Sequence, residues 1–309
     1  MKEIKVIWHK IPDTDCTLSA IVAADFLEKL GYKATSFIQW KLNKETEFIL
    51  KKLDLKIPEI KTSFPEWTNI CLVDHNEIFQ TLDNIKELNV EWIIDHHKIN
   101  FESKSPINMR VETLCSTASI LYKMYKENSF EISTKIADML LSCILSDSLL
   151  FKSATTTKED IILAKELLEI SSINDMEKYA LEMFNAKSDL WDINVEDLIK
   201  YDYKEFESGS QKLWVWTLET TNPNYAFWRK QEILEGLKKI KSESNLDFII
   251  LMVVDIISEK NTTIVLDWKD SEILEKVFNC KIENNLADLK NRLSRKKQIV
   301  PELTEFFGK

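Results

Sequence analysis

Ile4-Lys5-Val6-Ile7-Trp8-His9-Lys10-Ile11-Pro12-Asp13-Thr14-Asp15 begins as an apolar run of strand length and ends as a loop carrying a histidine and two acids. The same change recurs twice. Ile70-Cys71-Leu72-Val73 leads into Asp74-His75-Asn76-Glu77, and Val90-Glu91-Trp92-Ile93-Ile94 leads into Asp95-His96-His97. Between these runs lie a segment opened by Thr17 as N-cap and closed by Gly31, a strand over 33–38, a helix over 44–53 and a helical stretch over 81–88. Strands alternating with helices make βαβ units and a largely parallel sheet. Beyond Thr117 the pattern turns helical, over 117–127, 133–145, 157–169 and 175–186, with Thr156 and Glu159 spaced as a capping box. A polar stretch between Ala186 and Val195 marks a boundary, and the second half has its own strands (212–218, 248–254, 262–266) and helices (226–242, 271–278). The expected fold is α/β. An N-terminal domain, 1–188, holds a mostly parallel sheet flanked by helices, and a smaller C-terminal α/β domain, 189–309, follows, with the active site in the cleft between them.

Composition narrows the function. The 309 residues carry 41 Lys and Arg against 51 Asp and Glu, a net charge of −10, which disfavours broad nucleic-acid or anionic-membrane binding. No apolar run reaches the roughly 18 residues of a membrane helix, and the first residues lack a signal-peptide stretch, so a cytoplasmic location is expected. Five scattered cysteines, with no C-x-x-C pair, fit reduced thiols rather than disulfides or a thiolate zinc site. With four glycines, neither a Walker loop nor a G-x-G-x-x-G turn exists. Any phosphate must therefore be held by metals and cationic side chains.

All four histidines, His9, His75, His96 and His97, lie beside acids just past apolar runs of strand length. Taken singly, a D-x-D in a loop is a turn or cap, and a lone histidine is ordinary. Together they converge, because open parallel sheets bind ligands beyond the carboxyl ends of their strands. A further acid, Asp147, interrupts the apolar run Met139 to Phe151. Carboxylates with imidazoles suit Mn²⁺, Mg²⁺, Co²⁺ or Fe²⁺, and five or more ligands suit two ions bridged by a shared carboxylate. His75 reads as an orienting neighbour rather than a ligand. Near the other end, Ser294-Arg295-Lys296-Lys297-Gln298 places one of four arginines beside two lysines, a set able to grip phosphate oxygens, with Lys204 a further candidate.

These motifs resemble the DHH phosphoesterase superfamily. Within it, the basic string, Leu150-Phe151-Lys152-Ser153 and Ser116-Thr117-Ala118 resemble the family II, manganese-dependent inorganic pyrophosphatases. The resemblance runs from Ile4 to about Phe307. It implies that His9 and Asp13 bind a first metal, that Asp15, His96 and Asp147 bind a second, and that Asp74 bridges both. It also implies that His97 is catalytic and faces substrate, and that Lys204, Arg295 and Lys296 bind the phosphates. The implied cofactors are two Mn²⁺ per subunit, Co²⁺ being a possible substitute, with additional Mg²⁺ brought by the substrate. The implied reaction is hydrolysis of pyrophosphate to two phosphates by water activated between the metals, in a homodimer that engages neither nucleic acid nor membrane. The alternatives are a DHH-type phosphodiesterase or oligoribonuclease, an exopolyphosphatase, or a catalytically inactive regulatory homologue.

Overall fold

The computed structural model describes residues 1–103, 105–189, 194, 195, 198, 203–208 and 211–308, with only the backbone of Tyr203, Lys204, Glu205 and Glu207. The chain divides into two units. Unit 1 is Met1–Phe151 with Thr155–Met183, and unit 2 is Lys152–Ala154 with Phe184–Lys309.

Unit 1 is built on six strands: β1 (Glu3–Ile7), β2 (Lys33–Ile38), β3 (Glu59–Ile60), β4 (Asn69–Val73), β5 (Asn89–Asp95) and β6 (Asn108–Val111). Their order across the sheet is β3-β2-β1-β4-β5-β6, and every pairing is parallel. β1 sits in the middle because the chain winds outward first through β2 and β3, then restarts beside β1 with β4. That reversal creates a switch point between β1 and β4, where diverging loops leave a crevice at the strand ends. One face is closed by Ile7, Phe37, Ile70, Leu72 and Ile93 packed with Leu82 and Ile85. The helices are α1 (Thr14–Lys29), α2 (Lys44–Lys52), α3 (Thr117–Glu127), α4 (Thr134–Asp147), α5 (Lys158–Ile170) and α6 (Met176–Ser188), the last crossing the division between units. The α1 backbone turns left-handed at Gly31 (φ +92°), a conformation glycine adopts without a Cβ clash.

Local chemistry moves several boundaries. α1 starts before Thr17, because the Asp13 carboxylate accepts the amide of Cys16 at 2.9 Å and so becomes the N-cap. The capping box of α5 lies one residue later than Thr156/Glu159: Thr157 and Asp160 bond each other reciprocally at 3.2 and 2.8 Å. Residues 81–88 form no α-helix, only short 3₁₀ turns at Ile78–Gln80 and Ile85–Glu87. There the Asn84 amide donates to the Phe64 carbonyl at 2.8 Å, and such side chains compete with helical backbone bonding.

Unit 2 carries the second sheet, from β7 (Tyr203–Ser208), β8 (Gln211–Thr220), β9 (Phe248–Asp255), β10 (Lys260–Val265), β11 (Ile282–Glu283) and β12 (Leu286–Lys290), ordered β11-β12-β10-β9-β8-β7. Among the described residues of this unit only β8 and β9 pair in parallel, and the crossover between them holds α7 (Asn224–Trp228) and α8 (Lys230–Glu243). The single helix expected over 226–242 is thus two, broken at Arg229, whose guanidinium holds Glu232. Trp214, Trp216, Leu251, Val253, Ile233 and Leu237 share its core. α9 (Trp268–Phe278), a π-helical turn (Arg295–Ile299) and α10 (Val300–Phe307) complete the unit. No described helix is long and apolar enough to cross a membrane.

Candidate metal centre

His9 follows β1 and Asp74 follows β4, the two strands that flank the switch point. Asp95, the last residue of β5, precedes His96 and His97. Asp74 is left-handed (φ +63°), an unfavourable conformation for a residue with a side chain, of the kind found where function fixes geometry. Its carboxylate divides its two oxygens. Oδ2 lies 3.4 Å from His9 Nε2, and Oδ1 lies 3.3 Å from His96 Nε2. Asp13 Oδ2 is also 3.4 Å from His9 Nε2, and Asp147 Oδ2 is 3.9 Å from His96 Nε2. Three groups, His9-Asp13-Cys16-Asp74, Asp74-His96-His97 and Asp15-His96-Asp147, each bring one ligand atom per residue within 4.8 Å of the others. These separations exceed a good N–H···O bond and match donors arranged around a cation.

The surroundings orient the donors. His96 Nδ1 donates to the Leu114 carbonyl at 3.0 Å, which directs Nε2 at Asp74 and Asp147, the usual arrangement of a metal-binding imidazole. Asp15 is fully buried. It accepts the hydroxyls of Ser19 and Ser116 at 2.8 Å and the amide of Thr117 at 2.7 Å, the first residue of α3. Thr117 also donates its hydroxyl to Asp74 Oδ1 at 2.9 Å. Burial, then the Asp74 charge, push the Asp15 carboxyl up to about 7, against the pull of His96. Burial also raises Asp74, but bonds from His9 and His96 override it and hold the carboxyl well below the ordinary range. Crowded buried carboxylates facing imidazole nitrogens fit divalent cations, so the residues present suit the manganese that the resemblance implies.

His97 belongs to the second of the three groups, its Nδ1 2.8 Å from Asp95 Oδ1 and 3.8 Å from Asp74 Oδ1. Asp95, fully buried, also accepts the His97 amide at 3.1 Å and the Asn76 amide at 2.6 Å. The sequence gives Asp95 no role by itself; its place between an apolar strand and a histidine pair is the one signal that marks it. His75 is buried, donating Nδ1 to the Val73 carbonyl at 2.9 Å, and lies in none of the three groups.

In unit 2, Ser294 and Gln298 close the basic string on itself. Ser294 N–H donates to the Gln298 side chain, and Gln298 N–H donates to the Ser294 carbonyl, both at 2.9 Å. The π-helical turn between them holds Arg295 half-buried, its guanidinium donating to the Val215 carbonyl at 3.3 Å, and leaves Lys296 exposed. Lys204 pairs with that same Val215 across β7 and β8, while its side chain lies outside the described residues.

Residues 3–144 match the N-terminal domain of the DHH family and residues 181–306 match the DHHA2 domain. A manganese-dependent inorganic pyrophosphatase of Bacillus subtilis is 41% identical over 307 residues, 99% of each chain, and a Deinococcus radiodurans protein named a probable manganese-dependent inorganic pyrophosphatase is 40% identical over 310 residues, 99% of each. The crystal structure of a Methanococcus jannaschii protein assigned to the family II inorganic pyrophosphatases superposes with a TM-score of 0.88 at 33% identity, covering 99% of this chain and 100% of that one. Two sheets in this order, with acids and histidines at the switch point of the first, define a DHH–DHHA2 protein. Within that class, the chain belongs to the family of manganese-dependent inorganic pyrophosphatases.

Proposed function

We propose that the chain hydrolyses inorganic pyrophosphate to two phosphates with manganese, residues 1–188 holding the metals and residues 189–309 the phosphate grip. The observation that carries this reading is the division of Asp74, with Oδ2 toward His9 and Oδ1 toward His96. His9, Asp13 and Asp74 hold one ion, and Asp15, Asp74, His96 and Asp147 a second. When bound, such a pair supplies Lewis-acid activation of water and neutralises phosphoryl charge.

The chain's own side chains do the rest. His97, with Nδ1 engaged by Asp95, is the group that would bind a phosphate oxygen and pass a proton to the departing phosphate. Arg295 brings a planar guanidinium fork, and Lys296 and Lys204 bring ammonium charges, to the phosphate oxygens. Co²⁺ substitutes for manganese in this scheme, and additional Mg²⁺ enters with the substrate. A homodimer in the cytoplasm completes it, consistent with five cysteines in the thiol state.

The test is phosphate release from pyrophosphate, polyphosphate and a dinucleotide, side by side, with Mn²⁺, Co²⁺ and Mg²⁺. Pyrophosphate should be cleaved fastest, with Mn²⁺ or Co²⁺. A preference for the dinucleotide or for polyphosphate would replace the reading with a phosphodiesterase or exopolyphosphatase.

A further inference from the structure

We propose that Cys16 supplies a sulfur donor to the metal held by His9, Asp13 and Asp74, so that this manganese site also binds thiophilic divalent cations such as Cd²⁺ or Zn²⁺ more tightly than the same oxygen and nitrogen donors would without the sulfur. The inference rests on the reading of that cluster as a metal centre and adds a ligand to it. Cys16 stands one helical turn after Asp13, and Sγ falls within 4.8 Å of the ligand atoms of His9, Asp13 and Asp74. The residue is fully buried, so no bulk water competes for the sulfur.

Its present bonds leave it ready to ligate. Sγ accepts the Asp13 amide at 3.1 Å and donates its own proton only weakly, to the Asp13 carbonyl at 3.5 Å. Capping alone is a poor reason for a thiol here, since sulfur is a weak acceptor and oxygen serves a capping box better. Coordination exchanges the S–H bond for an S–metal bond and releases the proton to buffer, while the amide can go on donating to sulfur. Another buried thiol near the acids is turned elsewhere: Cys143 Sγ lies 3.7 and 3.9 Å from the Thr14 and Asp15 carbonyls and joins none of the three donor groups. Soft sulfur in an otherwise hard oxygen and nitrogen set shifts preference toward Zn²⁺ and Cd²⁺.

The experiment loads metal-free protein with Co²⁺ and compares absorption spectra of the wild type, Cys16→Ser and Cys143→Ser. Serine preserves the helix cap, and circular dichroism checks the fold. All three proteins should show cobalt d–d bands. Thiolate-to-cobalt charge transfer should appear in the wild type and Cys143→Ser and vanish in Cys16→Ser. In parallel, Cd²⁺ affinity should fall about 10- to 100-fold in Cys16→Ser, the scale on which loss of a metal-site partner is felt, while Mn²⁺ affinity changes far less. Wild-type d–d bands without charge transfer, or charge transfer surviving in Cys16→Ser, would overturn the sulfur ligand and leave the metal centre standing. Absence of any bound cobalt would overturn the centre and the sulfur ligand together.

Discussion

Asp95→Asn is the substitution that most directly probes how His97 is held. Asp95 Oδ1 accepts both the ring Nδ1 and the backbone amide of His97, while Oδ2 accepts Asn76 Nδ2. An asparagine can keep the two His97 bonds only by turning its own NH₂ toward the Asn76 NH₂, which sets donor against donor. Asn76 cannot flip without loss, because its Nδ2 also donates to the Lys98 carbonyl at 2.9 Å and its Oδ1 accepts the Asn100 amide. The variant therefore loses at least one charge-assisted bond in a fully buried place, a cost of about 1.5–3 kcal/mol. The greater effect falls on chemistry. Burial works against charge on Asp95, yet the His97 bond holds its carboxyl well below the ordinary range, so the carboxylate fixes Nδ1 as the donor in the pair. With the carboxylate charge gone, the imidazole is held less firmly in that tautomer and its protonated form loses its counter-charge, and turnover should fall about 10²- to 10⁴-fold, the usual contribution of a positioned acid or base. The assay is phosphate release at saturating pyrophosphate with manganese content measured on the same samples. Turnover within a few-fold of wild type, at full metal content, would refute the role given to the Asp95–His97 pair.

Asp74→Asn withdraws the oxygen-sharing carboxylate from both donor groups, and manganese retained after gel filtration should drop by half or more, measured by atomic absorption. Arg295→Ala should raise KM for pyrophosphate about 10- to 100-fold, as expected for one lost charged contact, with manganese content unchanged. In unit 2, Asp270 is fully buried against Lys241, 2.7 Å away, and burial pushes its carboxyl up to about 7. A raised folded-state value means the folded chain holds the proton that the unfolded chain has released. This contribution to stability is complete below about pH 4 and is lost as pH rises through about 7. That rise, from the ordinary carboxyl range to about 7, corresponds to about 4 kcal/mol, so urea unfolding of the wild type should weaken by that order relative to Asp270→Asn between pH 4 and 8. Parallel curves would refute it.

What the sequence made legible follows from how each element is stabilised. β1, β4 and β5 each end in an apolar run buried just before the acids and histidines, and such runs declare themselves. β7, with Lys204, Glu205 and Glu207 among six residues, and the two-residue β3 and β11 carry no such pattern, because pairing with a neighbour rather than composition makes them strands. The acids and histidines were readable because their types are scarce and their positions follow strand ends. The hold of Asp95 on His97, the hydroxyl that Thr117 gives Asp74 and the approach of Cys16 to His9 depend on directions of side chains, and Thr117 lies far from Asp74 in the chain. No spacing rule encodes them.

Asp147 occupies the last turn of α4, where unpaired carbonyls already carry the negative pole of the helix and where a lysine or arginine would be at home. Without the cation proposed at this site, the helix terminus and the Asp147 carboxylate hold like charges close together. Chelation should therefore do more than silence the protein. It should fray the carboxyl end of α4, speeding amide exchange there while β1 and β4 stay protected, so that the helix itself reports whether the cation is present.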